Sequence, residues 1–361
     1  MKRRDFIKGV SAGSVATAGM VGGINTASAA KTIKWKMVTS WPKNFPGLGT
    51  GANFLAKTIN EMSGGRLKVK VYGANEIVPA LEVFDAVSRG TAQMGHSGAY
   101  YWKGKHPATQ FFTSVPFGLT AQEMNGWLYH GGGMKLWEEL YDKFNLIPNA
   151  AGNTGVQMGG WFNKEINSVA DLKGLKMRIP GMGAEVLKQA GGTPVTLPGG
   201  EIYTSMQSGA IDATEWVGPY NDMAFGLYKV AKFYYLPGWH EPGSTMEAMI
   251  NKDAFNKLPK DLQKIVRAAC RVANQDMLAN YTAKNNYALQ TLISKHKVKM
   301  RQYPDDVIKK LRALSTDVVA KVGEHDEISN RIHESFLEFK NNVIQWSRVS
   351  EQGYMKARTL S

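Results

Sequence analysis

Hydrophobic and polar residues alternate from Lys31 to Thr39, with Ile33, Trp35 and Met37 on one side, and this period of two predicts a first strand. Leu48 to Ser63 changes to a helical period and stops at Gly64 and Gly65. Arg66 to Tyr72 alternates again through Leu67, Val69 and Val71, and a helix from Pro79 to Ser88 and a third strand from Ala92 to Gly95 follow. The order strand, helix, strand, helix, strand predicts a largely parallel sheet. Two helices flank Gly131 to Gly133.

A second unit begins near Asn149, with a glycine-broken strand from Gly155 to Phe162. A short turn carrying Ser168 and Asp171 leads into a strand from Lys176 to Ile179, then a helix from Ala184 to Ala190 and a strand after Gly191 and Gly192. Another helix stops at Gly209 and gives way to a short apolar strand through Ile211. After a tyrosine-rich stretch from Tyr220 to Trp239, Ala248 to Asn251 reads as a strand crossing back to the first unit. The rest is helical: Lys260 to His296, continuous or broken, Pro304 to Val322, and a last helix. In that last helix Ile328, Ile332, Phe336, Phe339, Val343 and Trp346 share one apolar face, which fits packing on its own domain or on a second copy of the chain.

The two units share a device. Gly90, Gln93 and His96 are followed 119 residues later by Gly209, Asp212 and Glu215. Each set places a helix stop and then polar groups at the carboxyl end of a strand, where open α/β sheets bind ligands. Two such ends facing one another make a cleft.

Composition fits a globular α/β chain: 361 residues, 43% hydrophobic, 38 glycines. The first thirty residues stand apart. Lys2 to Lys8 is basic with paired Arg3 and Arg4, Gly9 to Asn25 is weakly apolar, and Ala27 to Ala29 is a small-residue cleavage signal. The stretch is too short and too interrupted to span a bilayer, for which roughly 18 apolar residues are needed. Removing residues 1–29 leaves a soluble chain whose charge falls from +14 to about +11. Its Lys and Arg are scattered along helices, which speaks against nucleic acid and leaves anionic solutes or an anionic membrane surface as partners of that charge. The single Cys270 sits in a helical run and forms no internal disulfide.

Beyond the leader the chain lacks His-Glu-x-x-His, Gly-x-Ser-x-Gly, paired-cysteine and phosphate-loop signatures. Arg178 near the end of an apolar strand must be paired or solvated, and its planar fork suits a carboxylate: a ligand's, or that of Asp212 or Glu185 in an internal bridge. Glu215, Gln157 and the Trp216 carbonyl are oxygen donors of the kind a hard cation takes, with Glu241 as a further carboxylate. The competing reading pairs Glu215 with Arg178 directly and needs no metal. Tyr100, Tyr101, Trp161 and Trp216 are candidate pocket walls. An enzyme acting on a hydroxy or oxo acid, with His96 or His240 as acid and base, is the alternative to a binding module.

Three segments carry a family likeness. They are Val83 to Met94 (Val-Phe-Asp-Ala-Val-Ser-Arg-Gly-Thr-Ala-Gln-Met), Asn167 to Gly181 (Asn-Ser-Val-Ala-Asp-Leu-Lys-Gly-Leu-Lys-Met-Arg-Ile-Pro-Gly) and Gln207 to Trp216 (Gln-Ser-Gly-Ala-Ile-Asp-Ala-Thr-Glu-Trp). With the twin-arginine leader they resemble the extracytoplasmic solute receptors of tripartite ATP-independent periplasmic (TRAP) transporters, over essentially the whole mature chain. Within that family the Glu215-Trp216 pair and the Gly155 to Phe162 segment resemble the branch that binds 2-oxo acids and lactate with a metal ion.

The resemblance implies a periplasmic receptor, not an enzyme, with two α/β domains, a hinge and a ligand cleft, plus C-terminal helices. It places domain I at residues 30–153 and about 243–285, and domain II at 154–242 and about 286–361. It implies that Arg178 holds the ligand carboxylate, with Gln157, Tyr100, Tyr101 and Trp216 around it. It further implies that Glu215, Gln157, the Trp216 carbonyl and Glu241 hold Na⁺ or Ca²⁺. The expected partners are a small monocarboxylate, the TRAP membrane subunits and a second copy bound through a helix at 324–350.

Overall fold

The computed structural model describes residues 32–360, so the expected leader lies outside the described residues. The first lobe opens as the alternation predicts: strand β1 (Ile33–Thr39), helix α1 (Leu48–Met62), β2 (Leu67–Tyr72), α2 (Val83–Ser88) and β3 (Met94–Ser97). β1 pairs in parallel with both β2 and β3, because α1 and α2 carry the chain back across the sheet. Two short 3₁₀ turns (Ala99–Trp102 and Pro107–Phe112) lead to α3 (Ala121–His130) and α4 (Gly133–Asp142), and β4 (Leu146–Ile147) and β5 (Ala150–Asn153) close this part. Thr120 caps α3 in a capping box with Glu123.

The second lobe contains β6 (Gly160–Phe162), β7 (Lys176–Arg178), α5 (Gly181–Gln189), β8 (Thr193–Val195), α6 (Gly199–Gln207), β9 (Ala213–Thr214), α7 (Pro219–Phe225) and β10 (Phe233–Leu236). The chain then returns as β11 (Thr245–Asn251), followed by α8 (Lys252–Asn256), α9 (Lys260–Ser294), β12 (Lys299–Gln302), α10 (Asp305–Gly323), α11 (Glu327–Val349) and α12 (Glu351–Ala357). The strands form two six-stranded sheets. One runs β2-β1-β3-β11-β4, with β5 also on β11, and the other runs β12-β10-β6-β9-β7-β8. β11 crosses back as expected and lies antiparallel to β3.

The glycine stops of the repeat predicted at an offset of 119 are present, but Gln93 and Asp212 precede their strands rather than ending them. Gly90 and Gly209 both have positive φ, 79° and 72°, a conformation that costs a glycine nothing, and each follows a helix. The strands after them begin at Met94 and Ala213, again 119 apart. Other edges moved. The strand expected from Gly155 covers only Gly160–Phe162, because residues 154–159 are a crossover between the sheets. The backbone of that crossover bonds outward, Gln157 N to Glu241 O at 3.1 Å and Met158 N to Val217 O at 3.2 Å.

α9 is one unbroken helix of 35 residues. It packs on α1 and β5 of the first lobe and on α7 of the second, and so ties both together. Tyr281 on α9 donates to Asn221 Oδ1 at 2.7 Å, while Asn221 Nδ2 donates to Pro46 O at 2.8 Å. α10 packs on α5, and α11 packs on α3, α4 and the second 3₁₀ turn of the first lobe. The apolar face of α11 is therefore covered by its own chain over most of its length. Ile332 and Phe336 are fully buried, and Phe339 and Val343 pack against the core, while Trp346 is 67% exposed. No helix among the described residues is long and apolar enough to cross a membrane.

Phe336 touches Phe111 and Trp127 with ring centroids 5.5 and 5.2 Å apart, so Phe336→Ala should lower stability by about 3–5 kcal/mol in urea unfolding. Trp346→Ala should change it by less than about 0.5 kcal/mol. Equal costs for the two would contradict this packing of α11.

Candidate functional site

Three short strands of the second sheet set the position of Arg178. β7 lies between β8 and β9, and Arg178 is its last residue, 1% exposed. Each guanidinium nitrogen has an acceptor. Nε donates to Leu197 O at 3.1 Å, Nη2 to Tyr101 Oη at 3.2 Å, and Nη1 to Glu215 O at 3.3 Å and to the Glu215 carboxylate. The group also stands over the Trp216 ring, 5.1 Å from its centroid. Burial works against the charge, but Glu215, Tyr101, Tyr100 and Glu241 together outweigh it and the guanidinium stays protonated. The internal bridge considered from sequence thus exists, with Glu215 rather than Asp212 or Glu185. Asp212 instead accepts from Lys176 N at 3.0 Å.

Glu215 follows β9 at the start of a loop that Asp222 holds in place. Asp222 Oδ1 accepts from Val217 N at 3.2 Å and Gly218 N at 3.1 Å, and Oδ2 accepts from Trp161 Nε1 at 2.9 Å and Tyr234 Oη at 2.7 Å. Asp222 was not singled out from sequence. Its signal was Gly218-Pro219 followed by an acid in the first helical turn, the mark of a helix start. Trp161, expected in a pocket wall, instead stacks on Tyr234 at 4.0 Å and serves the core.

The other donors come from the segments that run between the two sheets. Gln157 lies on residues 154–159, and His240 and Glu241 lie on residues 237–244. The segments bond to each other: Gln157 N to Glu241 O at 3.1 Å and Gly238 N to Gln157 O at 3.1 Å. A Cβ on Gly238 would lie 2.2 Å from that carbonyl, so only glycine allows the approach. Gln157 Nε2 donates to Glu241 Oε2 at 2.8 Å, and the same oxygen accepts from Ser244 Oγ. His240 Nε2 is 3.4 Å from Glu215 Oε2. Tyr100 and Tyr101 come from the first lobe with ring centroids 4.5 Å apart and planes tilted by 60°, and Tyr101 reaches Arg178. Tyr100, Tyr101, Gln157, Arg178, Glu215, Trp216 and Glu241 are all brought together or beside one another, and His240 joins them.

Ligand atoms of Glu215, His240 and Glu241 lie within 4.8 Å of one another, and all three residues are buried. Burial pushes Glu215 and Glu241 each up to about 7; Arg178 opposes the shift at Glu215, while the Glu215 charge adds to it at Glu241. Burial holds His240 down at about 4, so its ring is neutral. Among the described residues, the buried polar atoms without a partner include Gln157 Oε1, Trp216 Nε1 and His240 Nδ1, three from this one cluster. A hard cation fits here: it removes the repulsion between two buried carboxylates and takes the free Gln157 oxygen. Gln157, Glu215 and Glu241 are the side chains that would hold it. His96 has no such freedom, since Nδ1 accepts from Trp41 Nε1 at 2.8 Å and Nε2 faces Ala151 O at 3.3 Å inside the first lobe.

The family model described as bacterial extracellular solute-binding protein, family 7 (DctP) matches residues 37–326. A monocarboxylate 2-oxoacid-binding periplasmic protein of Nostoc sp. (strain PCC 7120) is 44% identical over 361 aligned residues, 98% of each chain. A crystal structure of a TRAP periplasmic solute binding protein from Pseudoalteromonas atlantica T6c, with bound sodium and pyruvate, superposes with a TM-score of 0.88. It is 42% identical over 92% of this chain and 100% of its own. A second, from Colwellia psychrerythraea with bound calcium and pyruvate, gives 0.88 at 43% identity over 91% of this chain and 100% of its own. By the match of fold, length and sequence, the chain belongs to the extracellular solute-binding protein family 7 of TRAP receptors.

Proposed function

We propose that this chain is a periplasmic receptor that captures a small monocarboxylate, a 2-oxo acid such as pyruvate or the related lactate, together with Na⁺ or Ca²⁺, and delivers it to TRAP membrane subunits. The observation that carries this reading is the buried meeting of Arg178 and Glu215, at strand ends of the second sheet, with the Glu241 and Gln157 side chains on the segments joining the lobes. Relatives that bind pyruvate with sodium or calcium support it. The ligand carboxylate takes the Arg178 fork, Tyr101 orients that fork, and Tyr100 and Trp216 form apolar walls. Glu215 and Glu241 with the Gln157 and Trp216 oxygens hold the cation, which supplies positive charge beside the ligand.

Charge balance constrains the choice of ion. Arg178 set against Glu215, Glu241 and a ligand carboxylate leaves a net charge of −2 when all are ionised. Ca²⁺ makes the buried cluster neutral, whereas Na⁺ does so only if one carboxyl keeps its proton, which burial favours for both. The proposed domains are 30–153 with about 243–285 and 154–242 with about 286–361; the division of strands between the sheets supports them, while α11 packs on the first lobe. Residues 1–29 act as a twin-arginine export leader. The exposed end of α11 and α12, with Trp346, Val349, Tyr354 and Met355, offers the contact for a second copy.

Isothermal titration of the mature protein with pyruvate and Ca²⁺ tests the assignment directly. Arg178→Ala should abolish pyruvate binding while the chain stays folded, and unchanged affinity would sink the reading. Glu215→Gln should weaken cation and pyruvate together, and loss of neither would remove the cation. Both carboxyls have folded values raised above their unfolded ones, so their own stabilising contribution is present below about pH 4.5 and fades as pH rises through about 7. The cation binds the ionised forms. The rise in Tm on adding CaCl₂ should therefore grow between about pH 5 and pH 8, and a pH-independent rise would place the ion elsewhere. Asp222→Asn should cost about 2–4 kcal/mol, from two buried donors left unpaired, and should weaken pyruvate binding. Full stability with full affinity would show that the 215–218 loop does not depend on Asp222.

A further inference from the structure

A cavity of about 220 Å³ lies in the first lobe between α3, α4, the start of β5 and α9, and no residue of the cleft lines it. Three hydrogen-bond donors line it from three separate elements. Asn149 is 5% exposed; its backbone is tied to Ala248 in both directions, N to O at 3.0 Å and O from N at 2.8 Å, yet its side-chain Nδ2 has no partner. Tyr129 Oη on α3 is likewise buried without a partner. Arg271 on α9 stands over the Tyr129 ring, 4.3 Å from its centroid. The neighbouring Arg267 is bound to Glu138 at 2.6 Å, and among the described residues no carboxylate lies within ion-pair distance of Arg271. Met134, Ala150 and Cys270 add apolar wall.

Leaving a buried amide N–H and a phenol O–H unpaired costs about 1–3 kcal/mol each, a cost that an occupant accepting from both removes. Arg267 and Glu138 cancel, which leaves the cavity with the single positive charge of Arg271. A water molecule has two lone pairs for three donors. A planar carboxylate has two oxygens and about four acceptor positions, matches the guanidinium fork, and its negative charge complements Arg271. The volume admits only a few heavy atoms. We propose that this cavity is a second anion site, separate from the cleft, that takes a small monocarboxylate on Arg271, Tyr129 and Asn149.

The probe is acetate, with ionic strength held constant by sodium chloride. Tm of the full mature chain is followed against acetate in the wild type, Tyr129→Phe and Arg271→Gln. Tyr129→Phe removes one oxygen, and Arg271 is an exposed side chain on α9, so both variants should fold. The half-saturating acetate concentration should rise at least about fivefold in each, by about 1 kcal/mol or more, while pyruvate titration in the cleft stays unchanged. A crystal grown in acetate should show a planar anion touching Asn149 Nδ2 and Tyr129 Oη. An acetate response identical in the wild type and both variants, or a cavity holding only water or chloride, would overturn the proposal. Failure of pyruvate to bind would bear on the cleft alone and leave this outcome readable.

Discussion

Three ionisable groups of mixed sign, Arg178, Glu215 and Glu241, are shut away from water in one place, and much of the surrounding architecture answers that constraint. Buried charges persist only when each finds a partner and a full set of hydrogen bonds. Arg178 meets the requirement with four acceptors. Glu241 is served by Gln157 and Ser244, and Glu215 by Arg178 with His240 nearby. Two carboxylates still remain for one guanidinium. That surplus of negative charge is the physical basis for a cation, and the unpaired Gln157 oxygen beside it is where the need shows in the geometry.

The placement of those groups matters as much as their charge. Gln157 and Glu241 sit on the two segments that carry the chain from one sheet to the other and back, bonded to each other across Gly238. Arg178 and Glu215 project from strand ends of the second sheet, and Tyr101 arrives from the first lobe. An occupant held by all of them is gripped by both lobes and by the joints between them. Separating the lobes would break the Tyr101 to Arg178 contact and rehydrate the charges, which would link occupancy to closure through the cost of desolvation. α9 limits how far the lobes separate, since it packs on both.

The cavity against α9 obeys the same rule on a smaller scale. Donors were buried there without acceptors, and one positive charge was left uncancelled. In both places buried polar atoms lack protein partners, and the charge that would complement each site differs in sign, a cation in the cleft and an anion here.

Much of the frame was legible in local patterns. The period-two runs Ile33–Thr39 and Leu67–Tyr72 became strands within a residue or two, because alternation is decided by neighbours in sequence. Gly90 and Gly209 announced matched helix stops, since few other residues tolerate that backbone conformation. Arg178 and Glu215 could be singled out as polar residues where strands end. Residues 155–159 read as strand because their residue types suit one, while their hydrogen-bond partners lie some 60 to 80 positions away at Val217, Tyr235 and Glu241. The face of α11 read equally as self-packing or open, and only the position of α3 and α4 decided that Phe336 is core and Trp346 is surface. The sequence by itself determined which elements form and which side chains carry charge, because these follow from spacing and chemistry along the chain. Which carboxylate meets Arg178, which histidine is locked and which donors stay unpaired were decided by the tertiary structure, because burial and distance are properties of residues far apart in sequence.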